Sequence, residues 1–334
     1  MTKVAINGFG RIGRCFFRSA IGNKDIEIVG INDLGDLGDL AYLLKYDTVY
    51  GKATFSVEVK DGALVVNGKA IPVSQEKELA KLPWGKLGVD IVVESTGVFT
   101  DAAVAKGHLD AGAKRVVISA PAKGEGAETI LLGANEDKFK GCQITSNASC
   151  TTNAASPIIG ILDAAIGIEK AILSTTHGYT ASQAIVDGPK GKDWREGRAA
   201  AQNIVPTSTG AAKATALVYP QLKGKFDGIS LRVPVPAGSI VDVTFIAKKP
   251  TTVEEVNNAL KAAAQTDKWK KVFTVTEDLL VSSDIVGEPY GSIAQLDMTR
   301  VVDGNLVKVL AWYDNEMGYT HTLVEHVLEA GKNL

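Results

Sequence analysis

Cysteine is scarce in this chain: Cys15, Cys142 and Cys150 are the only three among 334 residues. Thiols so few and so scattered build no disulfide framework, and none stands at metal-ligand spacing from another, so neither a stapled domain nor a zinc site is expected. Histidine is almost as sparse, at four. No apolar run reaches the roughly 18 residues that a membrane helix needs. An excess of either charge is missing too, since 36 Lys and Arg face 38 Asp and Glu, for a net charge of −2. Net charge therefore draws the chain neither to nucleic acid nor to a membrane surface. The opening "MTKVAINGFG" runs straight into a strand-like pattern without an apolar h-region, so no secretory signal is expected. These absences together point to a reducing cytoplasm.

What is present is enough for two domains. Hydrophobic residues make up 45% and charged residues 22%. In the first half, short apolar runs alternate with helical patterns. "KVAING", "IEIVGIND", "VDIVVESTG" and "KRVVISAP" read as strands, with helices at "RIGRCFFRSAI" and "DAAVAKGHLDAGA". Val- and Ile-rich runs without polar alternation suit strands buried on both faces, as in a parallel sheet covered by helices. "ATFSVEVKDGALVVNGKAIPVS" alternates instead, and its Asp61-Gly62 and Asn67-Gly68 pairs predict hairpins inserted into that sheet.

Beyond Cys150 the texture changes. A helix is expected over 150–166 with Pro157 inside it, where proline should kink it. The stretch 181–208 is polar, glycine-containing and without periodicity. "AILSTTHGYT" is strand-like, and "GISLRVPVP" and "IVDVTFIAKK" alternate as strands of a half-exposed antiparallel or mixed sheet. "TTVEEVNNALKAAAQ" opens on a Thr252/Glu255 capping box. "NEMGYTHTLVEHVLEAGKN" is helical with Gly331 as its stop. The fold class is α/β: an N-terminal Rossmann-type doubly wound parallel sheet, then an α+β domain with a mixed or antiparallel sheet.

"INGFGRIGR" contains Gly8-x-Gly10-x-x-Gly13 between a strand and a helix, and Asp33 closes the next strand twenty residues after Gly13. That context is the dinucleotide-binding fingerprint. The glycines let the backbone turn and approach a pyrophosphate, and the N–H groups of Arg11 and Ile12 face it at the helix N-terminus. Asp33 accepts from a ribose hydroxyl and repels a 2′-phosphate, which favours NAD over NADP; as a bare residue it is also a serviceable strand-end cap. Thr96, Gly97 and Ser119 end later strands, either lining the cofactor pocket or simply turning the chain.

In "SNASCTTNA" a cysteine sits among Ser, Thr and Asn rather than apolar neighbours. Ser149 can cap a helix and so place Cys150 in its first turn, where unpaired N–H groups stabilise a thiolate and can receive an oxyanion. A base is needed. His108 lies in a charged helix, and His321 and His326 lie on the C-terminal helix, whereas His177 ends a strand. Cys150 with His177 makes an activated pair; Cys15 and Cys142 read as core residues. A thiol, a base and NAD together suit aldehyde oxidation. Thiolate addition creates the hemithioacetal that can release hydride, and the resulting thioester passes to water or another acceptor.

At these residues the chain resembles the phosphorylating glyceraldehyde-3-phosphate dehydrogenase family, through "INGFGRIGR", "STGVF", "SNASCTTN", "THGYTASQAIVDGPKGKDWREGRAAAQNIVPTSTGAAKA", "LRVPVP" and "WYDNEMGY". The resemblance implies oxidation of glyceraldehyde 3-phosphate with NAD and inorganic phosphate to 1,3-bisphosphoglycerate. It implies that Cys150 is the nucleophile, His177 its base and Asn315 the holder of the nicotinamide amide. Thr180 and Arg232 would take the substrate phosphate; Ser149, Thr151, Thr209 and Gly210 would take the attacking phosphate. Without the family, Arg232 reads as a strand arginine in an ion pair and Thr209-Gly210 as a capped turn. A homotetramer is implied, with 181–208 packing near a neighbouring subunit. So are an NAD-binding domain over 1–149, completed by 315–334, and a catalytic domain over 150–314.

The chain also departs from its relatives. Ala154 stands where many have a second cysteine, Glu196 where many have a phosphate-assisting arginine, and Lys77 where some place an arginine near the adenosine. Leu34 and Pro189 match the NAD-using pattern. Erythrose-4-phosphate oxidation, ending in hydrolysis, is the nearest alternative chemistry. A redox sensor using Cys150 without turnover is the alternative outside enzymology.

Overall fold

The computed structural model describes residues 1–191 and 193–334; Lys192, inside the polar stretch 181–208, lies outside the described residues. Two compact units result: residues 1–130, 136–148 and 323–334 in the first, and 131–135 and 149–322 in the second.

The first unit begins β1 (Thr2–Asn7), α1 (Arg11–Ala20), β2 (Ile26–Asn32) and α2 (Leu37–Lys45). The meander β3 (Val57–Lys60), β4 (Ala63–Val66) and β5 (Lys69–Ser74) comes next. Then follow α3 (Trp84–Leu87), β6 (Ile91–Glu94), α4 (Ala102–Ala105), α5 (Gly107–Asp110), β7 (Arg115–Ile118), β8 (Glu128–Thr129) and β9 (Ile144–Ser146). The sheet order is β3-β4-β5-β2-β1-β6-β7-β9-β8. From β5 to β8 every pairing is parallel. The antiparallel meander extends the edge through turns at Asp61-Gly62 and Asn67-Gly68, all four at positive φ, as the mirror-image hairpin turn demands. β6 and β7 are buried along their whole lengths, which explains their unbroken Val and Ile runs. The chain leaves β1 to one side through β2 and to the other through β6. The switch point that receives ligands in such sheets therefore lies at the carboxyl ends of β1 and β6.

The second unit contains α6 (Cys150–Ala165), β10 (Ile168–Gly178), β11 (Val205–Ser208), α7 (Ala211–Val218), β12 (Phe226–Val233), β13 (Ser239–Ala247), α8 (Val253–Ala264), β14 (Phe273–Thr276), β15 (Ser292–Val302) and β16 (Leu306–Tyr313). Its sheet runs β11-β12-β10-β13-β16-β15-β14. Pairing is antiparallel except for β10 with β12 and β14 with β15. One face packs on α6, α7 and α8, with Ile158, Ile159, Leu162, Val241, Val243 and Val309 in the core. Both bonds of the Thr252/Glu255 capping box form at α8. The last helix, α9 (Met317–Lys332), contributes its later turns to the first unit.

Several expectations need correction. The helix read over "DAAVAKGHLDAGA" breaks at Lys106–Gly107 into α4 and α5. A Cβ on Gly107 would sit 2.9 Å from Leu79 Cβ, so the backbone comes too close for a larger residue. His108, on α5, is fully buried in the interior rather than solvated. Gly331 does not stop α9, which continues to Lys332; a Cβ there would lie 2.5 Å from Thr2 Oγ1, so it serves close packing. The helix expected over 150–166 is α6, with Pro157 inside it among residues that are almost all buried. The polar stretch 181–208 ends in a strand, β11. Cys15 is a core residue, but Cys142 is only half-buried, its thiol donating to the Lys138 carbonyl at 3.0 Å.

His326 on α9 is fully buried, with Nε2 2.7 Å from Thr145 Oγ1 and its ring edge-on to Phe139. Burial lowers its pKa to about 3. Between the ordinary value near 6.5 and about 3, the unfolded chain binds a proton that the folded chain does not. Stability from this group is therefore complete above that window and falls as pH falls. From pH 7 to pH 5 the loss amounts to about 2 kcal/mol. In urea titrations at both pH values, His326→Gln should shrink the acid-induced loss by that amount; an unchanged pH dependence would refute the assignment.

Candidate active site

The thiol site belongs wholly to the second unit. Ser149 is the N-cap of α6, its Oγ accepting from Thr152 N–H at 3.2 Å and lying 2.7 Å from Thr152 Oγ1. Capping of this kind contributes about 1 kcal/mol. It places Cys150 at the first helical position. His177 sits at the end of β10, and its Nε2 lies 3.3 Å from Cys150 Sγ. The parallel register of β10 with β12 sets Arg232 directly opposite His177. One Arg232 Nη1 is 2.6 Å from His177 Nδ1, and the Gly178 carbonyl is also 2.6 Å from that nitrogen. Nδ1 cannot accept from the guanidinium and donate to the carbonyl at once, so the tautomer decides what Nε2 does. With Nδ1–H on the carbonyl, Nε2 accepts the thiol proton; with Nδ1 accepting from Arg232, Nε2–H donates to sulfur.

Burial pushes the Cys150 thiol up, against the opposite pull of Arg232 and of the Thr151 hydroxyl and N–H. Burial thus works against the helix N-terminus, which favours the thiolate. Burial, reinforced by Arg232, lowers His177 to about 3. Cys150 Sγ and His177 Nε2 face each other across 3.3 Å, a geometry in which a proton can pass between them and leave the sulfur nucleophilic. Below this pair lies Tyr313, whose hydroxyl is 2.8 Å from Thr151 Oγ1 and 2.6 Å from Thr175 Oγ1, with its ring edge-on to His177. Burial raises this phenol. Tyr313 was overlooked as a site residue, although it stands inside "WYDNEMGY"; only the pairing of β16 beside β13 carries it under the thiol.

The other residues expected in this unit are placed as follows. Asn315 Oδ1 accepts from Ser239 Oγ at 2.8 Å, and Ser239 Oγ accepts from the Gly178 N–H at 3.1 Å, which ties Asn315 to the residue after His177. The Thr180 and Ser182 hydroxyls are 3.1 Å apart. Gly210 caps α7 with open space around its Cα, and Thr209 Oγ1 accepts from Ala211 N–H at 3.2 Å. Arg232 Nε, Thr207 Oγ1 and Ser230 Oγ are buried without a hydrogen-bond partner, on strands β11 and β12. Such orphaned donors beside a guanidinium suit an anion. Arg195 is bidentate on Asp193 and Arg198 is paired with Asp187, so each arginine near Glu196 is held by its own loop.

The first unit carries a separate cavity of about 390 Å³, lined by Gly8, Gly10, Asp33, Leu34, Lys77 and Thr96 among others. Gly8 has φ 93°, and a Cβ there would lie 2.6 Å from Thr96 N. A Cβ on Gly13 would lie 2.1 Å from the Gly8 carbonyl oxygen, so both glycines serve close backbone approach. Gly10 faces open space at the start of α1, where no side chain caps the helix. Its missing side chain leaves a cradle before the N-termini of Arg11 and Ile12, as a pyrophosphate requires. Asp33 accepts from the Phe9 N–H at 2.6 Å and the Gly35 N–H at 2.8 Å, one on each oxygen, and keeps lone pairs for a diol. Arg11 itself turns to Asp47 and Tyr50. Ser95, which sequence reasoning did not single out, donates to the Gly8 carbonyl at 2.7 Å and closes the loop. Gly97 adopts positive φ just beyond, and the Ser119 N–H donates to the Glu94 carbonyl; neither lines the cavity.

Arg232 acts on both members of the thiol pair, holding the sulfur down and the imidazole down. Arg232→Gln should therefore move Cys150 alkylation to higher pH while the His177 imidazole titrates at higher pH than before. Alkylation rates and imidazole NMR shifts against pH give the two curves; curves that do not move contradict this electrostatic role.

No helix among the described residues is long and apolar enough to cross a membrane, and no group of three or more potential metal ligands is found among them. Residues 2–102 match the family described as glyceraldehyde 3-phosphate dehydrogenase, NAD binding domain, and 149–315 match its C-terminal domain. Glyceraldehyde-3-phosphate dehydrogenase of Streptomyces coelicolor is 50% identical over 335 residues, covering 99% of each chain. The enzyme of that name from Mycobacterium avium is 52% identical over 342 residues, again with 99% of each covered. That of Geobacillus stearothermophilus is 52% identical over 325 residues, covering 97% of this chain and 96% of its own. With both domains matched and half the residues identical along nearly the full length, this chain belongs to the glyceraldehyde 3-phosphate dehydrogenase family.

Proposed function

We infer that this protein oxidises glyceraldehyde 3-phosphate with NAD and inorganic phosphate to 1,3-bisphosphoglycerate. The observation that carries the chemistry is the 3.3 Å approach of Cys150 Sγ to His177 Nε2 at the N-terminus of α6. Cys150 gives its proton to His177 and adds to the aldehyde carbon, and His177 returns that proton to the resulting oxyanion, forming a hemithioacetal with His177 neutral again. First-turn N–H groups of α6 steady the oxyanion. His177 then removes the hydroxyl proton as the carbon gives up hydride, leaving a thioester on Cys150. Bound NAD supplies the hydride acceptor. Phosphate attacks the thioester carbon and sulfur leaves, which yields the acyl phosphate and regenerates Cys150.

Arg232 and Thr180 would hold the substrate phosphate; Ser149, Thr151, Thr209 and Gly210 would cradle the attacking one. With Arg195 and Arg198 engaged by aspartates, Arg232 is the guanidinium on which these anion sites lean. Because the Thr151 hydroxyl already meets Tyr313, this residue offers phosphate mainly its backbone. On the cofactor side Gly8, Gly10, Gly13, Arg11 and Ile12 form the pyrophosphate loop, and Asp33 takes the ribose diol. Lys77, Thr96, Gly97 and Ser119 would flank it, and Asn315 would hold the nicotinamide amide. Residues 1–149 with 315–334 make the NAD-binding domain in this reading, and 150–314 the catalytic one. Free thiols fit a cytoplasmic enzyme.

We also propose a homotetramer. The face of the second sheet turned away from its helices carries Ile172 and Ile229, 58% and 52% exposed, together with Val302 and Leu306. In the polar stretch Ile185 and Trp194 are 87% and 85% exposed. Apolar area of this extent calls for a partner, and a second copy is the partner that the family supplies.

NADH production from glyceraldehyde 3-phosphate and from erythrose 4-phosphate, each with and without phosphate, tests the reaction. Sustained turnover should need glyceraldehyde 3-phosphate and inorganic phosphate together, and Cys150→Ser should abolish it while NAD still binds. Equal sustained rates without phosphate would overturn the phosphorolytic step. For the assembly, sedimentation should give four chains per particle and Ile229→Asp smaller species; a native monomer at micromolar concentration would defeat the proposal.

A further inference from the structure

Behind the wall of the 390 Å³ cavity, the first unit holds a buried polar chain that the reaction does not use. The Trp84 indole N–H donates to His108 Nδ1 at 3.0 Å. Indole is a donor only, so Nδ1 carries the lone pair and Nε2 carries the proton. Nε2–H donates to Glu94 Oε2 at 3.0 Å. Asn7 Nδ2 donates to the same oxygen at 2.6 Å, and Thr96 donates to Oε1 through its N–H at 2.8 Å and through its hydroxyl. One carboxylate thus accepts four hydrogen bonds while almost completely buried.

Three of those bonds end on cavity residues, two on Thr96 and one on Asn7. Thr96 N is the atom that a Cβ on Gly8 would strike at 2.6 Å, so the turn 95–97 and the glycine loop lie against each other. The direction of the Glu94 carboxylate decides where that turn sits. Asn7 passes the order on to Asn32, beside Asp33: Asn7 Oδ1 accepts from Asn32 Nδ2 at 2.8 Å.

We propose that His108 is a positioning residue for NAD. Its fixed tautomer pins Glu94, and Glu94 pins the Thr96 turn and the Asn7–Asn32 pair, so that the dinucleotide cavity stays open in its binding shape. The proposal rests on the NAD reading and adds to it a residue outside the cavity. An apolar side chain at 108 leaves Trp84 and Glu94 each short of a partner, and the carboxylate then recruits whichever neighbour can move, the Thr96 turn first.

The test is NAD binding by isothermal titration, with kcat at saturating NAD and Cys150 alkylation measured alongside. His108→Leu should raise the Kd for NAD at least tenfold, with kcat within threefold and alkylation unchanged. His108→Gln, which keeps a donor for Glu94, should restore Kd to within threefold of the unmodified protein. Should the Leu variant not fold, Trp84→Phe, which frees Nδ1 but keeps an aromatic ring in the core, should raise Kd about threefold. An unchanged Kd in the folded Leu variant, or in the Phe variant in its stead, overturns the proposal and leaves the NAD reading intact. Absence of NAD binding by the unmodified protein overturns both.

Discussion

The parallel register between β10 and β12 is the constraint on which the thiol chemistry depends. It brings Arg232 across from His177, and the end of β10 brings His177 to the first turn of α6. A one-residue slip of β10 would turn His177 to the opposite face, away from Cys150 and from Arg232. The register is held from both sides, by the antiparallel partners β13 and β11 and by Leu173, Val241 and Val243 facing the helices. Apolar packing that touches no substrate therefore sets the geometry of the polar site.

The site is also a case of burial working against ionisation. The same enclosure that suits a covalent intermediate raises the thiol and lowers the imidazole. Arg232 counters the first effect and deepens the second, so one guanidinium biases both members of the pair. The first turn of α6 then counts chiefly for the oxyanion, where charge develops during reaction. In the first unit polar burial has the opposite character: the Glu94 carboxylate is saturated with donors, and its role is rigidity.

Both sites show how much residue patterns disclose. The Gly8–Gly13 loop, the Asp33 strand end and the Ser149–Cys150 helix start are local features, governed by φ, by orphaned N–H groups and by hydrophobic period, and each stands where its sequence signals it. The hairpin turns and the capping box are equally local. In the sequence His108 reads as a solvated or core-edge histidine of a charged helix, and only tertiary packing buries it completely. Gly331 was misjudged for the same kind of reason: what excludes a side chain there is Thr2, more than three hundred residues away in the chain.

The sequence by itself determined the class of sheet, the glycine turn, the cysteine at a helix entrance and the family, because these depend on neighbours a few residues apart. Tertiary structure alone decided that Tyr313 underlies the thiol, that Arg195 and Arg198 are held by their own loop, and that burial pushes the Cys150 thiol up against the pull of Arg232. Those outcomes follow from distance and desolvation, and neither quantity exists until strands far apart in the chain have paired and water has been excluded.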